Sequence, residues 1–172
     1  MQQTRVSRYF GILLRAESAA LSDVFWTESE VEGLAGGLVA ANGGKGGIRR
    51  LRANLRKTQS VIDDPAEAMR LLMGFHALVI ELVPLKSLQL LCKMLRSTAN
   101  DIISTYTLDA PARLDGVNPR RESLAEHEMF LEMVIAKNPD AGHFWRDHLT
   151  STACAVQERI QVPATTLALP LI

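Results

Sequence analysis

The sequence predicts an all-α fold, an antiparallel bundle of about six to seven helices. Apolar residues recur at helical spacing along nearly the whole chain, and no segment alternates for long enough to read as a strand. Caps and breakers divide that pattern into helices joined mostly by short links. A chain of 172 residues with 47% hydrophobic residues can bury one core. We place the bundle at residues 1–160 and a C-terminal tail at 161–172.

The first amphipathic helix runs from about Val6 to Ala16. The second begins near Ser22, carries Val24, Phe25, Val31, Leu34, Leu38 and Val39 on one side, and stops at Asn42-Gly43-Gly44. GGKGG at 43–47 is a helix–helix connection, because a phosphate loop needs a preceding strand and a GK[ST] ending. The third helix, about Ile48 to Ile62, sets Arg49, Arg50, Arg52, Arg56 and Lys57 outside Leu51, Leu55 and Val61. Those cations read as a solvated face in a neutral protein, with an anion patch as the alternative.

Asp64-Pro65 supplies an N-cap and a proline at the first helical position of the fourth helix, which ends at Pro84. A long, mostly apolar helix from about Leu85 to Tyr106 suits the middle of a bundle. Thr107 to Arg121, with two prolines and a glycine, reads as the longest loop. Ser123-Leu124-Ala125-Glu126 has the form of a capping box for the sixth helix, which puts His127 in a first turn where the helix dipole keeps it neutral. Asn138-Pro139 starts the seventh helix.

Formal net charge is +0, which lacks the footprint of a free-standing nucleic-acid binder. Cys92 and Cys154 have no metal-finger spacing and read as thiols in a reducing compartment. No stretch approaches the roughly 20 apolar residues of a membrane span, so we expect a cytoplasmic protein with no membrane contact.

Three histidines fall on apolar stripes. His76 aligns with Met69, Leu72, Met73, Ile80 and Val83, His127 with Leu124, Leu131, Val134 and Ile135, and His148 with Trp145, Thr152 and Val156. Either each is a core histidine with its own hydrogen bond, or the three converge on a metal or polar ligand. His143 lies about 140° around its helix from His148 and belongs to an outer face. A ferritin-like carboxylate site is excluded, since the chain has no Glu-x-x-His pair. On the fifth helix Arg96, Asn100 and Ser104 share one side, either an effector-binding cavity wall or a wet face. Glu126 and Glu128 flank His127 but face different ways, so neither is placed as a general base.

The run EHEMFLEMVIAKNPDAGHFWRDHL, the segment GFHALV and the helix LSDVFWTESEVEGLAGGLVAA together resemble the FCD domain. That is the effector-sensing domain of FadR-type, GntR-family transcription regulators, and the resemblance covers about Val6 to Arg159. It implies a helical bundle that forms a homodimer and holds a small-molecule effector, often a carboxylate, in its core. Many members bind a metal there through one aspartate and three histidines. The histidines carry over onto His76, His127 and His148. The aspartate position is Leu72, an arginine usual in the second helix falls at Glu28, and an asparagine usual after the FH helix falls near Leu85. A three-histidine site can still hold zinc or nickel, at reduced affinity. DNA contact in such regulators runs through a winged-helix domain that this chain is expected to lack. The alternatives are a metal-dependent enzyme with a three-histidine site, or a purely structural dimerisation module.

Overall fold

The computed structural model describes residues 5–107 and 117–160, and among these it contains seven α-helices and no strand. They are α1 (Arg5–Ala16), α2 (Leu21–Asn42), α3 (Lys45–Ser60), α4 (Pro65–Leu82), α5 (Lys86–Thr107), α6 (Val117–Ile135) and α7 (Ala141–Ile160). The proposed tail at 161–172 and most of the predicted loop, 108–116, lie outside the described residues.

The breakers act largely where the sequence puts them. The Asp64 side chain accepts from the Glu67 backbone N–H at 3.1 Å and Pro65 opens α4, so two of the helix's free donors are dealt with locally. Two helices end on a left-handed residue that is not glycine. Ser18 has φ 54° after α1 and Lys137 has φ 52° after α6. Each is followed by a backbone N–H that reaches back five residues, Ala19 to Leu14 at 2.9 Å and Asn138 to Met133 at 2.9 Å.

The capping box at Ser123 is overturned. Helix α6 begins at Val117. Pro119 sits in its first turn, where a missing N–H costs nothing, so the proline opens the helix instead of delaying it. His127 is therefore nearly three turns inside α6, beyond the reach of the helix dipole. Helix α7 likewise starts at Ala141, after Asn138 has turned the chain by accepting from the Asp140 N–H at 2.8 Å.

Packing runs antiparallel. Arg50 of α3 pairs with Glu81 of α4, and Asn54 donates to the Leu71 carbonyl at 3.2 Å. Helix α2 lies along α7 over its longest contact, and there Gly33, Gly36, Gly37 and Gly142 remove the side chains between them. A Cβ on Gly142 would stand 2.9 Å from the Gly33 carbonyl oxygen, and one on Gly36 would meet Trp145 at 3.0 Å. The main core joins α2, α3, α4, α6 and α7 around Phe75, Phe130 and Trp145. Phe130 and Trp145 have ring centroids 4.4 Å apart.

Several stripe assignments shift. On α4 the buried face is Ala68, Leu71, Leu72, Phe75, His76, Val79 and Ile80, while Met69 and Met73 are each 37% exposed. Leu34 of α2 and Ile135 of α6 also face outward. The buried arc on α4 is wider than the single row read from the sequence, and its centre lies nearer Phe75.

Candidate metal centre

Helices α4, α6 and α7 each deliver one histidine to a common point. His127 Nε2 lies 3.1 Å from His76 Nε2 and 3.1 Å from His148 Nε2, and one ligand nitrogen of each of the three lies within 4.8 Å of the others. All three residues are buried, whereas His143 is exposed. Phe75 stacks on His127 with centroids 4.4 Å apart and planes 10° apart, and Trp145 lies 4.8 to 5.5 Å from all three imidazoles. This aromatic wall fixes the ring orientations and excludes water.

Burial is the main cause that holds all three histidines below their ordinary range. Neighbouring charges at Arg96 add to the effect, and Glu126 opposes it at His148. They are neutral by desolvation, not through a helix dipole. A neutral imidazole carries one proton, so its partners fix the tautomer. His148 Nδ1 is 2.6 Å from Glu126 Oε2 and donates to it, which leaves its Nε2 lone pair pointing inward. His76 Nδ1 is 3.3 Å from Arg96 Nη2, which can only donate, so its proton belongs on Nε2 and points at His127. His127 then accepts at Nε2 and carries its proton on Nδ1, a buried atom with no partner. Between His127 and His148 two lone pairs face each other at 3.1 Å. A cation or an added proton would relieve that repulsion.

Three Nε2 donors at this spacing fit a tetrahedral ion with metal–nitrogen bonds of about 2.0–2.1 Å. Glu126 behind His148 is the usual carboxylate support for a ligating imidazole. The fit requires one adjustment: His76 must move its proton to Nδ1, and Arg96 must yield that contact. Leu72, at the aspartate position, is buried in the apolar core and offers no oxygen.

Arg96 is engaged within the bundle through Nε and Nη2. Its guanidinium is held by both oxygens of Glu32, at 2.9 and 2.7 Å, and lies 3.4 Å from Glu28. Glu32 is fully buried and Glu28 nearly so. Burial pushes both carboxyls up against the pull of Arg96, and Glu28 reaches about 7. Burial alone would lower Arg96, but Glu32 and Glu28 more than reverse this and hold it above its ordinary value. Burial and one guanidinium shared between two carboxylates make Glu28 titrate near neutrality, at about 7. Asn100 is half-buried one turn further along α5, and the side chain of Ser104 lies outside the described residues.

Sequence reasoning missed the buried pairing of Glu28 and Glu32 with Arg96 and the role of Glu126. The signal for the first two was their four-residue spacing, on a helix whose other face is apolar too.

The FCD domain family matches residues 23–151, most of the chain. The protein therefore belongs to the FCD family, the FadR C-terminal type of effector-binding domain in GntR-family regulators, whose role is regulatory and ligand-sensing. No curated protein and no solved structure matches it. No described helix is long and apolar enough to cross a membrane.

Proposed function

We propose that this domain senses a small organic effector for a transcription regulator, and that the effector is read at a divalent metal, zinc or nickel, held by His76, His127 and His148. The observation that carries this reading is the convergence of the three imidazoles, with His127 Nε2 3.1 Å from both His76 Nε2 and His148 Nε2 and two unprotonated lone pairs opposed. With only three protein donors the ion would keep an open position for an effector oxygen or nitrogen. The buried aromatic wall would select against water. Glu28 at the arginine position, together with an Arg96 already engaged by Glu32, offsets the positive charge beside the triad. The effector's own donor atoms would therefore be bound by the metal and not by a guanidinium. The domain acts as a homodimer on this reading, in keeping with the apolar side chains of Val6, Tyr9, Ile12 and Leu13 left exposed on α1.

The test begins with chelator-treated protein. At about 100 times its dissociation constant zinc should add about 2.7 kcal/mol, a rise of roughly 5–10 °C in Tm for a domain of this size. His127→Ala should abolish that rise. A library of small carboxylates and neutral oxygen donors should then shift the zinc-loaded protein further and leave the metal-free protein unmoved. If neither zinc nor nickel changes the wild-type Tm, the metal reading fails.

A further inference from the structure

A neutral histidine that binds an ion through Nε2 carries its one proton on Nδ1 and donates it outward. The two outer ligands of the triad differ in what waits for that proton. Behind His148 stands Glu126, an acceptor at 2.6 Å. Behind His76 stands Arg96 Nη2 at 3.3 Å, a donor facing a nitrogen that must itself donate once an ion is bound. Two N–H groups cannot share that contact. The site is therefore supported on the His148 side and blocked on the His76 side.

The same guanidinium nitrogen touches two carboxylates and holds them unequally. Glu32 is gripped in a fork, Nε to Oε1 at 2.9 Å and Nη2 to Oε2 at 2.7 Å. Glu28 Oε1 is 3.4 Å from Nη2, longer than a charge-assisted hydrogen bond. Both carboxylates come from one face of α2, four residues apart, and both are buried. One guanidinium satisfies one of them, which leaves Glu28 as an acceptor in excess, costly to keep in the core. A single atom, Arg96 Nη2, stands between that carboxylate and His76 Nδ1.

We propose that Glu28 is a reserve support of the metal centre: when an ion enters, its carboxylate replaces Arg96 behind His76 and accepts the Nδ1–H that ligation requires. This role rests on the metal reading above and adds a positioning residue for one of its ligands. One proton leaves His76 Nε2 and one arrives at Nδ1, exchanged through water, so the imidazole stays neutral. Arg96 keeps its fork on Glu32 and turns Nη2 away from His76. Glu28 has three side-chain torsions with which to close the gap. His76 and His148 then carry the same kind of carboxylate support, one from α2 and one from α6. Loading adds a direct polar tie between α2 and α4, where the present one runs through Arg96 of α5.

The experiment measures zinc affinity of the whole chain by competition with a chromophoric chelator, at pH 8, above the value of about 7 at which Glu28 titrates. Outer partners of ligating histidines change metal affinity by about 10–100-fold, so Glu28→Met should weaken zinc at least about tenfold. Glu28→Gln, whose amide oxygen still accepts, should recover part of that loss. Proton–nitrogen correlation spectra of the imidazoles supply a readout that a merely structural role would not move. In zinc-loaded wild type the Nδ1 proton of His76 should resonate far downfield, as in a charge-assisted hydrogen bond, and should move upfield in Glu28→Met. Unchanged affinity or an unmoved His76 proton in Glu28→Met overturns the proposal and leaves the metal reading standing. So does a Glu28→Gln no better than Glu28→Met, which would mean that the carboxylate acts through its charge alone. A wild type that binds no zinc overturns both.

Discussion

The most consequential residue beside the histidines is Glu28. Its carboxyl rises from 4.5 to about 7 because it is buried beside Glu32 and shares one guanidinium with it. A raised carboxyl binds its proton more tightly in the folded state. Its contribution is thus complete below about pH 4.5 and is lost as pH rises through about 7. That loss is at most about 3 kcal/mol. The lowered histidines act in the opposite direction, losing stability below their ordinary value near 6.5. Glu28→Gln should therefore gain stability relative to wild type between pH 5 and pH 8, in paired urea denaturations at each pH. A constant difference would show that Glu28 does not titrate in that window. Arg96→Met should be the costlier change, at about 3–5 kcal/mol, because it leaves Glu32 buried without its partner. Arg96→Met/Glu32→Met should recover most of that loss in the same assay. At this scale the three histidines were legible, since a titratable ring on an apolar stripe stands out. The Glu32–Arg96 pair was not. Its members are 64 residues apart, and nothing in the spacing of either helix ties Arg96 to Glu32.

At the scale of elements, the glycine seam between α2 and α7 sets where His148 stands. Gly142→Ala puts a methyl 2.9 Å from a backbone oxygen that cannot step aside. Against the helix-propensity gain of Gly→Ala, of up to about 1 kcal/mol, the clash should leave a net loss of about 1–3 kcal/mol. The zinc-dependent rise in Tm should shrink with it. Gly46→Ala, in α3 with open space around it, should instead stabilise by about 0.5–1 kcal/mol. Urea denaturation of the two variants checks both signs. Helix order and most boundaries could be read from Asp64-Pro65, Pro84 and the Gly43-Gly44 stop. The start of α6 could not, because Asn118-Pro119 has the same composition whether it breaks a chain or opens a helix. The width of the buried arc on α4 was also hidden, since it depends on how many neighbours surround a helix and not on its own spacing.

For the whole molecule, the unpaired feature is α1. It rests on α5 yet leaves Val6, Tyr9, Ile12 and Leu13 between 56% and 67% exposed, a row of large apolar groups that water does not favour. A second copy covering that row would behave as twice the 18.9 kDa chain in light scattering. Ile12→Glu/Leu13→Glu should return the mass to that of one chain while the helical circular dichroism is kept. A wild type that runs as a monomer at about 100 μM, well above usual dimer constants, would reject α1 as the contact. Composition could not have located this surface, because exposed and buried apolar stripes look alike in a helix until its neighbours are known.

Trp145 has a use apart from packing. It is one of only two tryptophans in the chain, is wholly buried and sits against all three imidazoles, while Trp26 is 62% exposed. Their emission spectra should separate, blue-shifted for the buried indole and red-shifted for the exposed one. Trp26→Phe would leave a single native fluorophore at van der Waals range of the triad. Paramagnetic nickel should darken it strongly, whereas closed-shell zinc should change mainly its emission maximum. The domain thus carries its own optical probe of occupancy, and a titration that leaves Trp145 unaltered would mean that the ion went elsewhere.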